Sequence, residues 1–356
     1  MHPAGLPTAT DPQSPAARPR RGCLFQVGRA LLVLVVLLVA CNLLGLIYQQ
    51  VAEASDRQAY PPLGQLIDVG GYRLHIHCIG EGSPTVILEA GTGGSSLDWS
   101  LVQPALAATT RVCAYDRAGY GWSDNATSPR TSQQTTAELH TLLTNANIDG
   151  PYVLVGHSIG VIHTEAYLDS YPTEVAGLVM VDRPAAEYLT TSGLSDKEIL
   201  ATEGGSSPTM MAIMRLLSTV GFIRMTGFGL SPITVDLPDE MQPEYNASTF
   251  QTRFFASLNE EWVNYAANLR YGAALPAISR ALPVVVLIHA PIENAGPNES
   301  VFYKDRLAFA AAMPDARVVI ANGSNHFINT KRPDLVITAI QDVVEAARTG
   351  QPLASQ

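Results

Sequence analysis

The sequence predicts an α/β protein with a mostly parallel central sheet, helices on both faces and one helical insertion. Three observations predict it. Short, continuous apolar runs recur along the chain, among them Pro84–Ala90 (PTVILEA), Val175–Asp182 (VAGLVMVD) and Leu282–Ala290 (LPVVVLIHA). Strands that read this way are covered on both faces. Segments of helical period separate the runs, as in parallel sheets whose neighbours are joined by crossover helices. The alternation breaks once, over Arg183–Ala281, where no clear strand occurs.

Residues 1–29 carry Pro3, Pro7, Pro12, Pro15 and Pro19 with Arg18, Arg20, Arg21 and Arg29, and read as a disordered basic tail. Ala30–Tyr48 holds 19 residues without a charge, close to the roughly 20 that span a bilayer. Arginines cluster before this segment and only Arg57 closely follows it. That asymmetry puts the N-terminus in the cytoplasm and the remainder outside. Leu38-Val39-Ala40-Cys41 has the look of a lipidation site, and a cleaved signal peptide is an alternative. The apolar run on to Tyr48 favours an uncut anchor. Residues 49–62 read as a linker, and 63–350 as the globular domain with its insertion at about 183–281.

Within that domain, Gly70-Gly71 turns a hairpin between QLIDVGG and YRLHIHCIG. The runs at 84–90, 111–116, 152–155, 175–182, 282–290 and 316–322 read as strands. Helices are expected near 131–147, 159–170, 301–312 and 333–348. The chain has 356 residues, 47% apolar and 15% charged, which allows a sizeable core. Its formal charge of −10 argues against nucleic acid as a partner. Cys78 and Cys113 fall in strands and read as two buried thiols; no cysteine or histidine spacing suggests a metal site.

Ligands in such sheets bind at the carboxyl ends of strands. There stands Gly156-His157-Ser158-Ile159-Gly160, between an apolar strand and a helix. This Gly-x-Ser-x-Gly pattern makes a tight strand-to-helix turn that thrusts the serine hydroxyl outward, and Gly156 and Gly160 leave it room. A serine hydroxyl is a weak nucleophile and needs a base. His326, in the loop after the last strand, is late enough in the chain to serve. His75 and His77 read as surface residues, His157 and His163 as local packing, and His140 as helix surface. The acid that orients His326 is Asp182, after the strand that follows the elbow helix, or Glu293, after the penultimate strand; Asp182 is preferred. The oxyanion donors are the N–H of Ile159 and that of Thr92, with Gly93 as the alternative.

LEAGTGGSSLDW, YDRAGYGWSD, YVLVGHSIG and GSNHFI stand in an order and spacing that resembles the serine α/β-hydrolases, the broad lipase, esterase and peptidase superfamily. The likeness covers about Gly64 to Arg348. With the entry DVGGYRLHIHC after the apolar segment, the chain looks most like the membrane-anchored bacterial members. The resemblance implies an acyl-enzyme mechanism without cofactor or metal, a small-molecule ester substrate and a helical cap over the site. Glu89-Ala90-Gly91 departs from the His-Gly that many relatives carry, which bears on the second oxyanion donor. Asp116, Arg117, Gly119, Gly121 and Ser123 match a structural loop near the site. Met210, Met211, Met214, Phe222 and Phe228 either make the insertion adaptable to an apolar acyl group or pack it onto the core, and the insertion is also a candidate for contact with the bilayer. Peptide cleavage, cofactor-free perhydrolysis and binding without catalysis are the rival readings.

Overall fold

The computed structural model describes residues 21–126, 128–228, 237–276, 278, 282–291, 299–313 and 316–353. Eight strands form one sheet: β1 Gln65–Asp68, β2 Arg73–Ile79, β3 Thr85–Glu89, β4 Val112–Tyr115, β5 Tyr152–His157, β6 Val175–Val181, β7 Val284–His289 and β8 Ala316–Ala321. Their order is β1-β2-β4-β3-β5-β6-β7-β8. The first two strands pair antiparallel and β2 meets β4 antiparallel; every other neighbour is parallel.

The buried strands alternate their apolar side chains between two layers. Ile87, Leu154, Leu178 and Met180 face one way and pack with Leu139, Leu142 and Leu143 of the Ser132–Asn145 helix. Val86, Leu88, Val153, Val155 and Val179 face the other and meet Val336, Ala339, Ile340 and Val343 of the Pro333–Thr349 helix. Period 2 in the strands and period 3.6 in the helices thus close two cores around one sheet.

The chain between β6 and β7 contains six helices among the described residues: Ala186–Thr191, Asp196–Thr202, Pro208–Thr219, Phe222–Thr226, Gln242–Thr249 and Thr252–Ala274. This insertion buries its own apolar cluster, with Met211, Met214, Ile223, Phe254 and Phe255 against Tyr120 of the sheet domain.

Three expectations need correction. The N-terminal helix runs from Arg21 to Ala59, so 21–29 is not irregular and 49–59 is helix rather than linker. Its last turns carry good helix formers, an Arg57–Glu53 pair at 3.8 Å and contacts to the insertion. Gln49 Nε2 donates to the Phe250 carbonyl at 2.7 Å, and the Thr252 N–H donates to Glu53 at 2.8 Å. Next, Cys78 and Cys113 form a disulfide, because the β2–β4 register sets them opposite each other with Cα atoms 4.0 Å apart. Finally, His75 is buried rather than on the surface, with Nδ1 2.9 Å from Asp116 Oδ2.

Candidate active site

Ser158 follows β5 directly and has φ 55° and ψ −127°, a conformation that costs a non-glycine residue on the order of 1–3 kcal/mol. Hydrogen bonds on both sides hold it there. Its N–H donates to the Val181 carbonyl, and its own carbonyl accepts from Val161 N–H, each at 2.9 Å. The flanking glycines are a steric requirement. A Cβ on Gly156 would lie 2.6 Å from the Gly160 carbonyl, and one on Gly160 would lie 2.7 Å from the Ala90 carbonyl oxygen. Ile159 opens the Ile159–Ser170 helix, where the first N–H groups have no intrahelical acceptor.

At the end of β6, Asp182 also takes a positive φ, 50°. Its side chain is fully buried and gathers three cationic or donor groups. His326 Nδ1 lies 2.6 Å from Oδ2. His289 Nδ1 lies 2.8 Å from both oxygens, and His289 N–H donates to Oδ1 at 3.1 Å. Arg306 Nη2 stands 3.5 Å from Oδ2. Burial alone would push this carboxyl's pKa up, but Arg306 and the two imidazoles outweigh it and hold Asp182 well below the usual carboxylate range. An ionised Asp182 fixes His326 with its proton on Nδ1 and leaves Nε2 as the basic nitrogen.

His326 and Ser158 line the same cavity of about 340 Å³. They are not hydrogen-bonded to each other in this conformation; such contacts tighten when substrate binds. The His326 loop is pinned from below, since His157 Nε2 is 2.9 Å from the His326 carbonyl oxygen. Burial, then the neighbouring His326, push His157 down to about 3, so its ring is neutral and donates that bond. Met211, Met214, Phe255, Leu258 and Trp262 of the insertion supply the apolar wall opposite.

The loop after β3 is braced by a buried ionic cluster. Arg117 Nη1 reaches Glu89 at 2.6 Å and the Ala90 carbonyl at 2.7 Å, Nη2 reaches the Gly91 carbonyl at 2.6 Å, and Nε reaches Glu261 at 2.8 Å. Glu261 Oε2 then accepts the Gly93 N–H at 3.1 Å. Of the two oxyanion candidates on this loop, Gly93 therefore has its N–H occupied. Glu89, the departure noted in the sequence, is the anchor of this cluster and also accepts from the Tyr115 hydroxyl. Asp98 lines the same cavity; burial pushes its carboxyl up to about 7.

Glu293, the alternative acid, lies outside the described residues. Sequence reasoning missed His289 and its second partner, Glu299 Oε1, 2.7 Å from Nε2. With a carboxylate on each ring nitrogen, His289 is pushed up despite its burial. A histidine ending the penultimate strand was the only available signal, and nothing local to it pointed at Asp182. Asp182, His289 and His326 could by proximity hold a metal, but both imidazole Nδ1 atoms are turned onto the carboxylate, with a guanidinium beside it. Carboxylate, imidazole, carboxylate and imidazole thus alternate from Glu299 to His326, with the strained serine across the cavity.

The profile described as the Alpha/beta hydrolase family matches residues 86–339. An uncharacterized protein of Bacillus subtilis (strain 168), YbdG, is 24% identical over 292 residues, 80% of this chain and 86% of that protein. An uncharacterized protein of Schizosaccharomyces pombe is 31% identical over 177 residues, 42% of this chain and 33% of that protein. Among solved structures, a putative alpha/beta hydrolase from Nostoc sp. PCC 7120 superposes with TM-score 0.63 at 17% identity, covering 78% of this chain and 96% of the other. The epoxide hydrolase CorEH gives 0.60 at 19%, covering 78% and 97%. A thermophilic esterase from Thermogutta terrifontis gives 0.52 at 20%, covering 79% and 97%. At these identities the structural likeness is one of fold.

Proposed function

The chain belongs to the alpha/beta hydrolase family, and we propose that within it this protein is a membrane-anchored serine hydrolase of carboxylic esters. Ser158 Oγ attacks the acyl carbon while His326 Nε2 takes its proton. The Ile159 and Thr92 N–H groups receive the oxyanion, a term worth about 3–4 kcal/mol per donor in related chemistry. His326 returns the proton to the leaving alkoxide, water repeats the sequence on the acyl-enzyme, and Asp182 stabilises the imidazolium at each stage. The observation that carries this reading is the 2.6 Å contact between Asp182 and His326 beside a cavity that the strained Ser158 also lines. The apolar lining supports an apolar acyl group.

The anchor reading rests on the helix from Leu24 to Ala59, whose apolar window has mean hydropathy 3.0 and no buried residues. The basic residues before it support a cytoplasmic N-terminus, and the Cys78–Cys113 disulfide suits a catalytic domain outside the cytoplasm. The expected test is an ester panel of increasing acyl length against wild type and Ser158→Ala. Turnover disappears in the variant while its melting temperature holds; turnover that persists rejects the serine mechanism. Protein released from membranes by carbonate washing would reject the anchor.

A further inference from the structure

The N-terminal helix does not simply end at the globule. Its last apolar turn is locked to the insertion. Gly45 packs on the Val220 carbonyl so closely that a Cβ there would collide with the oxygen, and Tyr48 packs against Gly221. One and two turns further on, Gln49 bonds the Phe250 carbonyl at 2.7 Å, Glu53 Oε1 accepts from the Thr252 N–H and hydroxyl at 2.8 Å each, and Asp56 pairs with Arg224 at 2.7 Å. Past the end of the helix, Trp122 Nε1 donates to the Tyr60 carbonyl at 2.9 Å. These contacts fix the height of the insertion along the helix.

That height matters. The uncharged stretch Ala30–Tyr48 is about 28 Å long at about 1.5 Å per residue, close to the hydrocarbon thickness of a bilayer. Its outer end therefore coincides with Val220 and Gly221, at the junction of the Pro208–Thr219 and Phe222–Thr226 helices. Among the described residues, the same two helices and the residues just after them carry six of the nine large exposed apolar side chains outside the N-terminal helix: Leu216 61%, Met225 61% and Phe228 52% exposed, with Met210, Ile213 and Phe222, the rings of Phe222 and Phe228 being 6.3 Å apart. An apolar cluster of this kind marks an interaction site. Met210 and Phe228 belong to both surfaces: they are exposed in the cluster and they line the cavity that holds Ser158 and His326.

We propose that this face of the insertion lies in the outer leaflet's interface and that the catalytic cavity opens there, so that the enzyme takes amphiphilic esters directly from the bilayer. The proposal rests on the anchored-hydrolase reading and adds to it the route and class of substrate. The occupant is a lipid bilayer rather than a protein, because a membrane-length segment ends in register with the cluster. The chain's charge of −10 makes apolar insertion, not attraction to anionic lipid, the source of the contact.

The test uses the full-length protein in phosphatidylcholine vesicles. Met225→Trp places a fluorophore in the cluster, and lipid brominated near its headgroup end of the acyl chain should quench the added emission by about half or more. Emission as resistant to quenching as that of the wild type would overturn the proposal. Leu216→Asp with Met225→Asp should lower turnover of a long-chain ester dissolved in the vesicles by about tenfold or more, and leave a short water-soluble ester within about twofold of wild type. Equal loss on both substrates, or none on either, would also overturn it. Ser158→Ala serves as the separate control. If it keeps its turnover, the serine mechanism fails while the quenching result still decides the bilayer contact.

Discussion

Asp182 is a catalytic acid candidate held from two sides. His326 meets its Oδ2, and His289 bridges both of its oxygens. A hydrogen bond to a charged group contributes about 1.5–3 kcal/mol, and tenfold in rate corresponds to about 1.4 kcal/mol. His289→Gln should therefore lower kcat about tenfold or more with little change in KM. The pH profile should change as well. His289 is raised in the folded state, so what its charge contributes is present below its ordinary value and fades as pH rises through the folded one. The variant should lose that alkaline component; a profile and kcat both like wild type would show that His289 does not support Asp182. Asp98 has the same sign at lower pH, although here it is the neutral form that the fold favours. Its carboxyl titrates at 3.8 when unfolded and at about 7 when folded, so the native state binds its proton more tightly. Ionising it costs stability as pH rises across that window, and the full cost persists above it. Asp98→Asn should raise the melting temperature more in alkaline than in acidic buffer, and a uniform shift would contradict the assignment.

Among the elements, the elbow and the braced loop carry the site. Gly160 abuts the Ala90 and Glu89 carbonyls, and overpacking a closed site costs typically about 1–3 kcal/mol. Gly160→Ala should thus lower the melting temperature and displace the loop that holds Thr92. Glu261→Gln removes a buried partner of Arg117, a loss of about 3–5 kcal/mol when a buried pair is broken, and weakens the acceptor for the Gly93 N–H. Thermal melting with ester kinetics checks both. The elbow was legible in the sequence because strand, serine and glycines are contiguous, and the sheet because each strand is a continuous apolar run. Arg117 and Glu261 were not, since 144 residues separate them and only the packed insertion brings them together. His289 was hidden for the same reason, 107 residues from Asp182. The last eleven residues of the N-terminal helix, 49–59, were misread as linker because their polar side chains serve contacts with the insertion, which no local pattern reveals.

At the scale of the molecule, three parts are joined: a membrane-length helix, a sheet domain and a helical insertion that touches both. The disulfide ties the β2 and β4 strands across a separation of 35 residues. Closing a loop of that size contributes about 4 kcal/mol in the chain-entropy treatment, so Cys78→Ser with Cys113→Ser should melt several degrees lower; an unchanged transition would mean that the bond does not form. The whole mechanism depends on acylation of Ser158. Full-length protein is treated with a fluorophosphonate, digested and mapped by mass spectrometry. One adduct is expected, on the peptide that contains Ser158, and none after prior heat denaturation. An unmodified Ser158, or an adduct on another residue, would contradict it.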